Sequence, residues 1–346
     1  MWQLNNSTPF AANHTFLSDR NGVDTYVLCL KATYDIDEDG QCRPALDQVP
    51  PDFVPRHVDP SKPSSLLADT DFDFMKPGTD VLVVGSAVNP RPGSYREIDV
   101  GFSVGPVRKR LRVVGERVWL HGAVSPVLSA PASFTELPIV WENTFGGADR
   151  SDAGGQTDLR NPIGTGMANG IRGIEGLRAP SVFVPGESYT GWNSRPQPAS
   201  FCAVERHWMP RRQYAGTYDE NWIKNRAPLW ATDLDDRYFM AAPVDQQCYP
   251  HLNGNEEVRV FNMTPSKFLG FRLPLFRPYA DVSFDRSARH LKLHVSTVAI
   301  FPTERRVSVS WSGSLGCQGY RERIRSIDVW DKPLVRTLSL ARSQPA

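Results

Sequence analysis

The stretch Asp24-Thr25-Tyr26-Val27-Leu28-Cys29-Leu30-Lys31-Ala32-Thr33-Tyr34-Asp35-Ile36 decides the fold class. Tyr26, Leu28, Leu30, Ala32, Tyr34 and Ile36 alternate with Thr25, Val27, Cys29, Lys31, Thr33 and Asp35. Successive side chains of a strand point to opposite faces, so a period of two predicts a β-strand with one face buried. Glu38-Asp39-Gly40 follows as a turn, with Gly40 free to take a positive φ.

The same pattern recurs outward from this segment. Residues 81–88 form a short apolar run of strand type. Ile98, Val100, Phe102 and Val104 alternate with Asp99, Gly101 and Ser103, and residues 107–114 and 117–120 continue an antiparallel meander. Strands are predicted again at 258–263, 268–273, 291–301 and 306–311, with Pro302-Thr303-Glu304 as the hairpin turn between the last two. Residues 141–250 carry almost no periodicity and are rich in Gly, Pro, Asp and aromatic residues, among them Trp192, Trp208, Trp222 and Trp230. Disordered segments lack such aromatics, so this region is expected to be irregular but ordered, with one short helix near 234–240. The expected architecture is mainly β, an antiparallel β-sandwich or partly closed barrel with few short helices. One domain spans 1–330, and a loose tail occupies 331–346.

Composition narrows the function classes. With 40% hydrophobic and 22% charged residues among 346, the chain can bury a sizeable core. Glycine (26) and proline (29) together exceed their usual share of about 12%, which fits many turns. The net charge is +1, and the densest basic run, Arg108-Lys109-Arg110 with Arg112, reads as one solvated face of a strand. Nucleic acid is therefore not expected as a direct partner. Cysteines 29, 42, 202, 248 and 317 are odd in number, widely spaced and without a CxxC pair, which suits reduced thiols in a cytoplasmic protein. No leader-like start and no apolar run of about 18 residues is present, so no membrane partner is expected.

Motifs that carry chemistry are thin. Asn161-Pro162-Ile163-Gly164-Thr165-Gly166 has the glycines of a phosphate cradle but lacks its Gly-Lys-Ser/Thr ending, and it reads as a tight turn. His290 and His294 lie in a strand-like pattern, where i and i+4 stand about 13 Å apart, too far for one ion. No nucleophile elbow occurs. Glu142, Asp149, Asp152, Asp158, Asp219, Asp233, Asp235, Asp236 and Asp245 would supply the two carboxylates of a glycosidase. Asp219, Arg226, Asp235 and Arg237 read instead as ties between irregular segments. No catalytic, cofactor-binding or metal-binding residue is assigned.

Several blocks in order carry a resemblance. Glu142-Asn143-Thr144-Phe145-Gly146-Gly147 followed by Asn161-Pro162-Ile163-Gly164-Thr165-Gly166 resembles the signature of a bacterial family, domain of unknown function 2169. Thr79 to Gly85, Val100 to Trp119, Gly216-Thr217-Tyr218-Asp219 with Trp222 and Arg226, Asp235 to Phe239, Ala242-Pro243, Asp245-Gln246-Gln247 and Thr297 to Trp311 match it in the same order. The resemblance spans residues 20–315. Ser200-Phe201-Cys202-Ala203 departs from it, standing where the family has a Gly-Phe-Gly-Pro-like step. The resemblance implies a non-enzymatic adaptor of type VI secretion. Such an adaptor holds a toxic effector in the cytoplasm and helps load it onto the valine-glycine-repeat spike protein (VgrG), without a cofactor. Glu142, Phe145, Gly146, Gly147, Asn161, Pro162, Gly164, Gly166, Asp219, Trp222, Arg226, Asp235, Arg237, Asp245 and Gln246 match the family motif and are expected to be structural. No partner-contacting residue is assigned. The alternative is a carboxylate-dependent hydrolase using residues 142–245.

Overall fold

A computed structural model describes residues 3–73, 76–90, 95–149, 155–285, 287–317 and 324–331. Asp152 and, past Asp331, the expected tail 331–346 lie outside the described residues. The longer strands are β1 (Gln3–Asn6), β2 (Ala11–Ser18), β3 (Asp24–Ile36), β4 (Thr79–Val83), β5 (Glu97–Val104), β6 (Val107–Val114) and β7 (Glu257–Phe261). They continue with β8 (Phe268–Arg272), β9 (Tyr279–Phe284), β10 (Ala288–Lys292), β11 (His294–Phe301), β12 (Arg306–Gly316) and β13 (Ile324–Trp330). The helices are short, α1 (Met209–Arg212) and α2 (Glu220–Asn225), so the protein is mainly β.

The largest sheet runs Gln247–Cys248, β4, β11, β12, β3, β2. Only the β4–β11 pair in that order is parallel. A second, antiparallel sheet runs Val182–Phe183, β6, β5, β7, β8, and a third runs β1, β13, β9, β10. Leu30, Val309 and Ile300 of the first sheet, Val100, Leu111 and Val260 of the second, and Val282 and Ile327 of the third share one apolar cluster. Each such side chain, fully buried, contributes roughly 1.5–3 kcal/mol. The sheets pack in sandwich fashion and remain open. Among the described residues, β2 and Gln247–Cys248 end the large sheet without pairing to each other, so no barrel closes.

Two strand expectations are corrected. β3 is buried on both faces, with Thr25, Val27, Cys29, Lys31 and Thr33 all under 7% exposed. Its second face is covered by the segment that follows: Asp71 accepts from Lys31 and from the Ser310 hydroxyl, and the Val49 N–H donates to Thr33. The run expected as one strand over 291–301 divides at Leu293, because β10 pairs with β9 in the third sheet while β11 pairs with β4 and β12 in the first. Strands that switch sheets make the corners of packed sheets.

That corner also separates the two histidines. His290 Nδ1 lies 3.0 Å from Asp281, whereas His294 stacks on His251 at 4.7 Å between ring centroids. His251 Nε2 donates to the Lys76 carbonyl at 2.9 Å. Burial pushes His251 and His294 below their ordinary value of 6.5, and Lys292 beside them adds to this. A base depressed in the folded state stabilises above its unfolded value, and that stability is lost as pH falls below 6.5 through the lower folded value. The melting temperature should therefore drop between pH 7.5 and pH 5.5, and His294→Gln should make the drop shallower. An unchanged slope in the variant would show that this pair does not govern it.

The described residues of 141–250 are irregular but ordered, as their aromatic content predicts. Trp208 is buried edge-on against Trp141, and Tyr189 is fully buried beside Trp119, Phe145 and Phe183. The helix expected near 234–240 is a single 3-10 turn, Asp236–Phe239. All five cysteines are free thiols.

Candidate interaction surface

The first half of the family signature forms a knot around Asn161, which is fully buried. Its Nδ2 donates to the carbonyls of Trp141 (2.8 Å) and Phe145 (3.0 Å) and to Thr144 Oγ1 (2.7 Å). Its carbonyl accepts from the N–H groups of Gly147 and Gly164. A Cβ at Gly146 would stand 2.2 Å from the Asn161 carbonyl oxygen, and one at Gly164 would stand 2.4 Å from its Nδ2. Phe145 and Gly146 pair in parallel with Thr165 and Gly166, and Pro162 begins the intervening turn. Glu142 accepts from both the N–H and the hydroxyl of Ser65, tying the knot to the first third of the chain.

The second half of the signature lies apart from this knot. Asp219 caps α2 by accepting from the Trp222 N–H, and the Trp222 indole donates to the Leu229 carbonyl. Arg226 donates to the carbonyls of Trp230 and Arg20. Asp235 caps the 3-10 turn and pairs with Arg237. Gln246, fully buried, donates to the Val81 and Phe201 carbonyls, and Asp245 pairs with Lys109 at 2.9 Å. Every one of these polar side chains serves a neighbouring segment of the same chain.

Four buried ion clusters escape sequence reasoning. Lys31 sits between Asp52 (2.5 Å) and Asp71 (2.9 Å). Lys76 pairs with Asp80 at 2.8 Å, and Arg206 and Arg211 hold Asp69 and Asp73. Lys109 is the fourth: it shares a face with Val107 and Leu111, so the run Arg108-Lys109-Arg110 is not one solvated face. Burial opposes the charge on all three lysines. Asp80 and Asp73 outweigh burial at Lys76, and Asp71 and Asp52 do so at Lys31, holding both above the usual lysine value. At Lys109 burial wins over the single, half-exposed Asp245 and the ammonium is pushed down.

The other three members of that basic run face outward on the second sheet. Register places Arg108, Ser103 and Arg259 in one row across the sheet, and Arg110, Gly101, Phe261 and Phe268 in the next row on the same face. A Cβ at Gly101 would strike the Phe261 ring at 2.4 Å and one at Gly270 would strike the Phe268 ring at 2.7 Å, so both rings lie across glycine positions of the sheet. Phe268 is 54% exposed, and the Arg110 guanidinium sits over the Phe261 ring at 5.6 Å. Arg112 pairs with Asp99 and Arg259 with Glu257, but among the described residues neither Arg108 nor Arg110 meets a carboxylate. The result is a shallow hollow of about 830 Å3 floored by aromatic rings and edged by two uncompensated guanidiniums. Arginine and aromatic side chains are the enriched anchors of protein interfaces, and a guanidinium fork matches a carboxylate.

A separate open cleft of about 770 Å3 is lined by the signature glycines together with Glu142 and Asp149. Among the described residues no cluster of His, Cys, Asp and Glu could hold a metal ion, and no helix is long and apolar enough to cross a membrane. The family model described as "Uncharacterized protein conserved in bacteria (DUF2169)" matches residues 21–312. No curated protein and no solved structure matches.

Proposed function

The chain belongs to this bacterial family of uncharacterized proteins, DUF2169, and we propose that it is a non-enzymatic adaptor that binds an acidic segment of a secreted effector. The finer role follows the resemblance of its ordered sequence blocks. It holds a type VI effector in the cytoplasm and helps load it onto the VgrG spike, with no cofactor. The observation that carries the reading is the Arg108, Arg110, Phe261 and Phe268 hollow. Rigid rings and two guanidiniums without a carboxylate partner among the described residues are suited to a carboxylate-bearing partner.

Affinity purification of the tagged protein from its host, followed by mass spectrometry, tests this. Recovery of one toxin-like protein together with VgrG is expected. Arg108→Glu with Arg110→Glu should weaken effector capture about a hundredfold, or about 3 kcal/mol, while leaving the melting temperature unchanged, since both side chains are exposed. A folded protein that recovers neither partner would sink the proposal.

One observation favours the hydrolase reading: Glu142 and Asp149 line the same open cleft. Both Glu142 oxygens, however, already accept from Ser65. Hydrolysis of a glycoside panel that disappears in Glu142→Gln, with the fold intact, would favour the enzyme.

A further inference from the structure

The segment covering the second face of the large sheet does not fill the space beneath it. A cavity of about 350 Å3 lies there, a volume at the lower end of small-molecule sites. Its floor is the row Leu82, Ala299, Ser308 and Thr33, neighbours across β4, β11, β12 and β3. Ala299, Ser308 and Thr33 are small for a sheet face, and that is why the space exists.

The polar walls carry both signs of charge, and each of their cations is already paired with a carboxylate. Lys31 and Arg56 balance Asp52 and Asp71; Lys76 balances Asp80; Arg206 and Arg211 balance Asp69 and Asp73. Arg306 is answered by Asp35 and Asp47, and Glu304 is exposed. A charged ligand would shed its water against walls whose charges, save the exposed Glu304, are already engaged with one another. Hydrogen-bonding capacity is left over, however. Lys31 and Lys76 each use two of three ammonium protons. The hydroxyls of Thr33, Thr297 and Ser310 are engaged. Ser308 Oγ is not: the residue is 6% exposed, and its hydroxyl has no partner among the described residues. Beside these groups, Val49, Val84 and Phe301 supply an apolar side.

We propose that this cavity is a binding site for a neutral, polyhydroxylated molecule of mono- or disaccharide size. Hydroxyl groups both donate and accept, so they satisfy the spare ammonium protons, the Asp69 and Asp71 carboxylates and Ser308 together. The C–H face of a sugar ring meets the apolar side. The site is independent of the adaptor role, since it lies on the first sheet and the arginine hollow on the second.

Saturation-transfer NMR and thermal shift on the full chain test it, with glucose, N-acetylglucosamine and maltose as probes and glucose 6-phosphate and glucosamine as charged controls. The neutral sugars should transfer saturation and raise the melting temperature. Ser308→Leu fills the cavity and should abolish both effects. Ser308→Ala should weaken binding about tenfold, and it decides the matter if the leucine variant does not fold. Absence of binding by every neutral probe, equal or tighter binding of a charged control, or neutral binding unchanged in both Ser308 variants would overturn the proposal.

Discussion

Asp80→Ala is expected to cost about 3–5 kcal/mol of folding stability, a large part of the roughly 5–15 kcal/mol available to a domain. The carboxylate is fully buried and accepts three hydrogen bonds: from Lys76 Nζ at 2.8 Å, the Ala241 N–H at 2.8 Å and the Ala242 N–H at 3.0 Å. Truncation strands an ammonium that is itself 6% exposed and leaves two amides without acceptors. Asp73, already held by Arg206, cannot replace what is lost. Breaking a buried pair from one side is the costly operation; removing both charges is far milder. Lys76→Met combined with Asp80→Asn should therefore recover part of the loss. Urea midpoints at constant slope would measure both. A single variant within about 1 kcal/mol of the parent would mean that water reaches Lys76 and that the wall of the cavity is not dry.

The same cluster shows where sequence reasoning succeeds and where it stops. Alternation in Asp24–Ile36 reveals a strand, and its Tyr26, Leu28 and Leu30 face is indeed core. Lys31 and Thr33 look solvent-facing by type. Yet Val27 and Cys29 on the same face are apolar, and that parity signal could have shown that both faces are buried. Lys109 carries the same lesson. Adjacency groups it with Arg108 and Arg110, but parity groups it with Val107 and Leu111, and in a strand parity decides the face. What covers the second face of β3 is not legible at all, because residues 45–73 have no period and reach their partners through single side chains such as Asp52 and Asp71. The break at Leu293 is hidden for a different reason: β10 and β11 keep an alternating pattern while changing sheets. β1 and β13 pair in parallel across more than three hundred residues, and no local signal announces a contact of that range. Of the candidate hollow, only the basic run was visible. Phe261 and Phe268 join it through register, which is a property of paired strands and not of either alone.

Asn161 should be the second most sensitive position, and the order of its variants is the informative result. Asn161→Ala removes a donor shared by two carbonyls and one hydroxyl in a fully buried site, at an expected cost of about 3 kcal/mol. The cost stays below the sum of three lost bonds because the amide oxygen, buried without a partner among the described residues, is removed at the same time. Asn161→Asp is nearly isosteric but should be worse than alanine. It turns an oxygen toward the Trp141 and Phe145 carbonyls, where only donors are tolerated, so it must either carry an unpaired buried charge or stay protonated. Gly164→Ala should resemble Asn161→Ala, since its Cβ would meet Nδ2 at 2.4 Å and displace the same amide. Thermal melts would rank the three. If Asn161→Asp proved as stable as the parent, the knot would not be held by donation from Nδ2, and the signature blocks Glu142 to Gly147 and Asn161 to Gly166 would need a role at the surface of the cleft instead of beneath it.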